Sequence, residues 1–353
     1  MFICGTGILP VPQEELDMIR IGIIGLGMMG RTHYEAYQEI EGAQVTAVSD
    51  VDPKRASGDL TGTSGNVIKG ALNSLPMDRI KGSTDYNQLL ADPNVDVVDI
   101  CLPTTQHLEV AIAALKSGKH VLCEKPLART SSEGEKIAAA AKSAKGFFMP
   151  AMCMRFWPQW SWLKKAVEEH RYGKVLSATF RRVASMPAGW YKDGRISGGA
   201  ALDLHIHDTD FVQHLFGLPK AVYSRGYTQT SGEIDHLTTH YLYDQIPHVT
   251  AEGGWTLAAG YGFTMRYTVN FDHATADYDL AREESPLLLI AEGNSDPIDA
   301  GPGFGYAAEL RYLIDCVKKN QRPTIVTAED GVRSLKIVEA EVASARSGNS
   351  VFL

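Results

Sequence analysis

IRIGIIGLGMMG, residues 19–30, decides the fold. An apolar run rich in isoleucine leads directly into Gly25-x-Gly27-x-x-Gly30, and the text that follows, RTHYEAYQEI (31–40), reads as a helix. A strand that ends where the glycines begin, and a helix that starts among them, aim the helix N–H groups and dipole at a pyrophosphate. Gly25 permits the tight turn, Gly27 lets a phosphate approach the backbone, and Gly30 lets helix and strand pack closely. Met28 and Met29, between the last two glycines, fall in the same cofactor-binding set. Twenty positions beyond Gly30 the run AQVTAVSD ends in Asp50, where a carboxylate binds both ribose hydroxyls of the adenosine and repels a 2′-phosphate. NAD is therefore the expected cofactor. Lys54 and Arg55 lie close enough to leave NADP open.

The alternation continues outward. VDVVDICLPT (95–104) and KHVLCEKP (119–126) read as buried strands, QHLEVAIAALKSG (106–118) and SSEGEKIAAAAKSAK (131–145) as helices, and FFMPAMC (147–153) as a sixth strand. Strands alternating with helices imply an α/β, doubly wound parallel sheet whose ligand lies beyond the carboxyl ends of the strands. Residues 55–75 are polar and glycine-rich at first and read only as an irregular helix or loop. Further on, VLSATFRRV, KAVYSRGYTQ, HLTTHYLYD, HVTAEGGWTL and TMRYTVNF follow one another as short strands without helices of comparable number between them, which implies an antiparallel or mixed sheet. The chain thus divides into a loose extension over 1–17, a dinucleotide-binding domain over 18–150 and an α+β domain for substrate binding and oligomerisation over 151–353. The last two helices, within 304–348, are expected to fold back and brace the first domain.

With 353 residues, 44% of them apolar, the chain can bury the cores of two such domains. Its 34 basic and 42 acidic residues give a net charge of −8, which argues against nucleic-acid or anionic-membrane partners. No apolar run approaches the roughly 18–20 residues that span a bilayer. The five cysteines are scattered, without a C-x-x-C pair. The expectation is a cytoplasmic protein with free thiols and a small-molecule ligand.

A glycine motif of this kind, a strand ending in Glu124-Lys125-Pro126 and a second half carrying Asp203-x-x-x-His207 resemble the Gfo/Idh/MocA family of nicotinamide-dependent sugar and polyol oxidoreductases. The resemblance runs from about residue 19 to the end. It implies a Rossmann domain followed by an α+β domain with a large, mostly antiparallel open sheet, one face packed by helices and the other used for a homodimer or homotetramer. It also implies hydride transfer between a nicotinamide and a ring hydroxyl or ketone of a sugar, sugar acid or inositol-like polyol.

For site residues the family assigns catalytic character to Asp203 and His207. Helical spacing places these two on one face, with His205 pointing away. His205, His207 and Asp208 are therefore poorly placed to converge on an ion, and no metal is expected. In the simplest scheme His207 takes the hydroxyl proton, Lys125 stabilises the oxygen, and Asp203 positions Lys125 or the substrate. Glu124 and Pro126 at the strand exit, with Thr104 and His107 after the preceding strand, are candidates to border the cofactor. Arg155, Trp157, Trp190, His205 and Tyr306 are candidates for substrate contact, with Tyr191 and Lys192 beside Trp190. Two alternatives stay open: a tightly held cofactor recycled within one turnover, and a non-catalytic nicotinamide- or sugar-sensing regulator on the same scaffold. Retention of Lys125, Asp203 and His207 together favours an enzyme.

Overall fold

β1 (Ile19–Ile24) lies at the centre of a six-stranded parallel sheet, and its apolar text is explained by helices on both faces of it. The computed structural model describes residues 18–62 and 72–353. Beside β1 run β2 (Ala43–Ser49), β3 (Lys81–Ser83), β4 (Val97–Ile100), β5 (His120–Glu124) and β6 (Phe148–Ala151). Their order is β3-β2-β1-β4-β5-β6, all parallel. The chain leaves β1 toward β2 on one side and reaches β4 on the other, so a crevice opens at the carboxyl ends of β1 and β4. The longer helices are α1 (Met28–Tyr37), α2 (His107–Lys116) and α3 (Ser131–Ser143), with a shorter one over Tyr86–Ala91. In the segment expected to be irregular, a short helix spans Pro53–Ala56, capped by the Asp52 side chain. Residues 63–71 of that segment, and the extension 1–17, lie outside the described residues.

The second half forms a nine-stranded sheet of order β14-β13-β12-β11-β7-β10-β9-β8-β15. β7 (Val175–Ser185), β8 (Ala221–Tyr227), β9 (His236–Leu242), β10 (His248–Leu257) and β11 (Thr264–Phe271) fall where sequence reasoning puts strands. β12 (Thr275–Asp279), β13 (Leu287–Ala291), β14 (Asn294–Pro297) and β15 (Val351–Phe352) extend the sheet at its edges. Only the β7–β10 pair is parallel. In β9 and β11 buried and exposed residues alternate, so one face is covered and the other is not. The covering helices are α4 (Pro158–Glu168) and α5 (Ile206–Phe216). Trp160 of α4 is fully buried among Phe180, Phe211, Tyr267 and Tyr278.

α6 (Gly305–Lys318) and α7 (Ala328–Ser347) tie the two halves together. Leu310, Leu313 and Ile314 of α6 share a core with Ile21, Tyr37 and Leu122. Val332 and Leu335 of α7 share another with Leu127, in the loop after β5, and Ile137 of α3, while α7 also packs along β8. α7 begins at a reciprocal cap, the Thr327 hydroxyl accepting from Asp330 N and the Asp330 carboxylate from Thr327 N.

Candidate active site

A cavity of about 520 Å³ lies between the strand ends of the first sheet and the ends of β7, β10 and β11 in the second. Its first half is built by the glycine loop. Gly25 has φ +93°, and a Cβ there would stand 2.5 Å from the Cys101 carbonyl oxygen. A Cβ on Gly30 would stand 1.9 Å from Gly25 O, so Gly30 serves the contact between α1 and β1 and does not face the cavity. Gly27 is different. It lines the cavity at the N-terminus of α1, and a Cβ added there would touch nothing within 4 Å, so the space it leaves is open to a ligand. Asp50 is held at the mouth, accepting from Leu26 N at 2.8 Å and Asp52 N at 2.9 Å, with Arg55 Nη1 at 3.5 Å. A phosphate cradle at a helix N-terminus beside a fixed carboxylate fits a dinucleotide with free ribose hydroxyls. Met28, Met29, Thr104, Glu124 and Lys125 line the same cavity.

Besides Gly30, two cofactor candidates lie elsewhere. The His107 ring is fully buried, its Nδ1 2.8 Å from Pro126 O and its Nε2 2.8 Å from Leu102 O. It couples the loops after β4 and β5 and does not reach the cavity. Pro126 does not line it either; its peptide with Lys125 is cis.

At the other half, Lys125 leaves β5 with its backbone N–H on Glu124 Oε2 at 2.9 Å. Its ammonium donates to Asp203 O at 2.9 Å and lies 3.4 Å from Asp203 Oδ1. Asp203 belongs to a π-turn, Ala201–His205, that leads into α5. This widened turn is entered through Gly198 and Gly199, both at positive φ. The turn and the start of α5 bring Asp203 and His207 into the same cavity wall. Burial pushes the Asp203 carboxyl above the usual range, against the pull of the Lys125 ammonium. Burial also holds His207 well below an ordinary histidine, and the nearby Lys125 and Arg182 cations add to the effect. The His207 Nδ1 is buried without a hydrogen-bond partner. One end of the cavity therefore presents an ammonium, a carboxylate and a neutral imidazole.

Of the substrate candidates, Trp157, Trp190 and Tyr306 line the cavity, as does Tyr191. Two do not. Arg155 is buried in a bidentate ion pair with Asp210, Nε–Oδ2 2.8 Å and Nη2–Oδ1 2.7 Å, and donates to Ile325 O. It joins the turn after β6 to α5 and to the approach of α7, because a guanidinium at a buried three-way junction finds its partners there. His205 projects from the opposite side of the turn. It is fully buried against Gly253, with Nε2 3.3 Å from the Tyr241 hydroxyl and 3.7 Å from Glu341.

Sequence reasoning missed three features. Arg182, an inward residue of β7 that lines the cavity, pairs with buried Asp208 at 2.9 Å; a charge at an inward position of an alternating strand was the available signal. Trp255 lines the wall from the end of β10. Behind Glu124 lies a buried network in which His33 Nδ1 meets Asp99 Oδ2 at 2.8 Å and His33 Nε2 stands 3.2 Å from Glu124 Oε1, outside hydrogen-bond alignment. Glu309 completes it, its donor atom within 4.8 Å of those of His33 and Glu124. Residues in α1, β4, β5 and α6 carry no shared spacing that would announce this cluster.

Residues 19–152 match the family profile described as an oxidoreductase family, NAD-binding Rossmann fold, and residues 164–353 match that family's C-terminal alpha/beta domain. A myo-inositol 2-dehydrogenase of Thermotoga maritima is 29% identical, the alignment covering 95% of this chain and 98% of that protein. A scyllo-inositol 2-dehydrogenase (NAD+) of Bacillus subtilis is 26% identical over 95% of this chain and 96% of its own. Among solved structures, levoglucosan dehydrogenase in complex with NADH and L-sorbose superimposes with a TM-score of 0.82 at 22% identity, covering 95% of this chain and 99% of that one.

Proposed function

The chain belongs to the Gfo/Idh/MocA oxidoreductase family and is a nicotinamide-dependent dehydrogenase, and from that premise we propose that Lys125, Asp203 and His207 carry its chemistry on a ring hydroxyl of a cyclic polyol or sugar. The observation that carries the proposal is the convergence of these three side chains at one end of a cavity whose other end is the Gly27–Asp50 cradle. Gly25, Gly27, Met28, Met29, Asp50, Thr104 and Glu124 hold the cofactor. When bound, the nicotinamide supplies the hydride acceptor, or the donor in the reverse direction.

Oxidising a carbinol requires that its hydroxyl proton leave as the C–H bond breaks. His207, neutral because burial and two cations disfavour its charged form, accepts that proton on the part of its imidazole that lines the cavity, Nδ1 being sealed from it. Lys125 donates from Nζ to the same oxygen and stabilises the charge that develops on it. Asp203, 3.4 Å from that ammonium, orients it. Trp157, Trp190 and Tyr306 give the ring an apolar surface.

The uncovered face of the nine-stranded sheet supports assembly as a homodimer or homotetramer through β9 and β11. The unpaired Cys101, Cys123, Cys153 and Cys316 suit the reducing cytoplasm. Residues 18–150 act as the cofactor-binding domain and 151–353 as the substrate and assembly domain.

The test is kinetic. Lys125→Ala and His207→Ala should each lower turnover by about 10²-fold or more, with NADH affinity changed only a few-fold. Oxidation by the wild type should hold its rate as pH falls past 6.5, the ordinary histidine value, and lose it only below, where the displaced His207 protonates. His207→Gln should lose that acidic limb. Unchanged turnover in both alanine variants, or an acidic limb that persists in His207→Gln, would refute the roles.

A further inference from the structure

We propose that the substrate is a glycoside, a sugar ring whose anomeric oxygen carries an alkyl or aryl group, rather than a free polyol; this rests on the oxidoreductase reading above and narrows it. The wall that faces the catalytic groups is hydrocarbon to an extent that a ring bearing hydroxyls on all sides does not need. Trp190, Tyr191, Trp255, Phe263, Met265 and Tyr306 all line the cavity.

Two polar groups of this wall are engaged elsewhere. Trp255 spends its one indole N–H on Asp235 Oδ1 at 2.9 Å. Asp235 is itself fully buried, and its Oδ2 accepts from Gln229, Thr230 and Ser231 N–H groups at 2.7–3.0 Å. Trp255 is thereby fixed, and what it offers the cavity is ring. Three of the five N–H groups of Arg182 are likewise engaged, Nε and Nη2 with Asp208 and Nη1 against Met265 Sδ.

The same buried carboxylate also steadies the neighbouring loop. Ser231 O accepts from Gly194 N at 2.9 Å, anchoring the segment that carries Trp190 and Tyr191. Those two rings stack at 4.0 Å, and Tyr191 meets Trp255 edge-on at 6.0 Å. The result is a continuous aromatic surface, held from behind by hydrogen bonds. A hydroxyl pressed against it loses its water partners without replacement, whereas an alkyl or aryl group gains by the contact. Tyr191 and Tyr306 keep a hydroxyl apiece for the sugar ring itself.

The reaction leaves the glycosidic bond intact. One ring CH–OH gives up a hydride to oxidised nicotinamide and a proton to His207, yielding a keto-glycoside and reduced cofactor.

The experiment follows reduction of NAD by the intact protein at 340 nm on a panel of compounds: myo-inositol, and glucose, galactose and mannose each as free sugar, methyl glycoside and phenyl glycoside. The expected result is a kcat/KM at least tenfold higher for the glycosides of the sugar that is used, carried mainly by KM and rising from methyl to phenyl. Trp190→Ala should bring that ratio close to one. Quenching of tryptophan fluorescence by the matching 4-nitrophenyl glycoside should show tenfold tighter binding to wild type than to Trp190→Ala. Equal or better use of inositol or free sugars overturns the proposal and leaves the oxidoreductase reading intact. Silence across the whole panel while NADH still binds overturns both.

Discussion

Two alanine substitutions three residues apart should have opposite effects, because the glycines they replace do different physical work. Gly27 has φ −70° and ψ −158°, a conformation open to any residue, and its added Cβ meets no neighbour. Gly27→Ala should therefore leave the fold as stable as before or firmer by about 0.4–1 kcal/mol, through loss of freedom in the unfolded chain. The same methyl occupies the space through which a diphosphate approaches the amides at the start of α1. Losing one charge-assisted hydrogen bond there costs roughly 1.5–3 kcal/mol, which is about a 10- to 150-fold rise in the NADH dissociation constant. Gly30→Ala reverses the pattern, since its Cβ would lie 1.9 Å from a backbone oxygen that no rotamer change can move. Opening the α1–β1 contact is an overpacking error of roughly 1–3 kcal/mol or more, or a fall in melting temperature of roughly 2–10 °C for a domain of this size. Melting curves without cofactor and fluorescence titration with NADH separate the two effects. If Gly27→Ala binds NADH within twofold of wild type, or melts as early as Gly30→Ala, the assignment of a phosphate cradle to this loop is wrong.

Two further predictions concern buried charge. Glu309 is fully buried with neither carboxyl oxygen hydrogen-bonded, and burial together with the Glu124 carboxylate raises its pKa well above 4.5. The folded state thus keeps a proton that the unfolded chain releases above about pH 4.5, so this contribution is fully present below that pH and declines by about 1.4 kcal/mol per unit as pH rises toward the folded pKa. Glu309→Gln, which carries no such proton, should gain stability over wild type steadily between pH 5 and 8 in chemical denaturation; parallel stability curves would dismiss the neutral-acid assignment. Asp208→Ala strands the Arg182 guanidinium, both side chains being at most 3% exposed, and should cost about 3–5 kcal/mol; a loss under 1 kcal/mol would mean that water reaches the pair.

Much of the fold was legible because its rules are local. The period of β1, the three glycines and the text of α1 lie within nineteen consecutive residues, and each follows from strand, turn and helix chemistry that neighbours in sequence can satisfy. Strand and helix runs from 95 to 153 are similarly self-contained. What escaped was short or at an edge. β3, with three residues, and β14, with four, carry too little text for any period to register, and β15 exists only because α7 returns the chain to β8.

The site divides along the same line. Asp203 and His207 were legible as a pair because they stand within one turn of each other, and Lys125 because a proline follows it at a strand exit. His205 and Arg155 misled, since their chemistry suits a sugar as well as it suits a buried junction, and only the position of Gly253 or Asp210 decides between them. The substrate wall is the hardest case. Arg182, Trp255 and Met265 come from β7, β10 and β11, and they adjoin because register sets Met265 and Gly253 opposite Arg182, with Trp255 two residues further on. No spacing in the chain encodes that register. It follows from the burial of one face along three strands, so the residues of the proposed substrate wall are placed by the packing of a whole domain, while those of the proposed phosphate cradle are placed by a single turn. The cofactor can accordingly be read from a dozen letters, and the substrate only from the assembled wall.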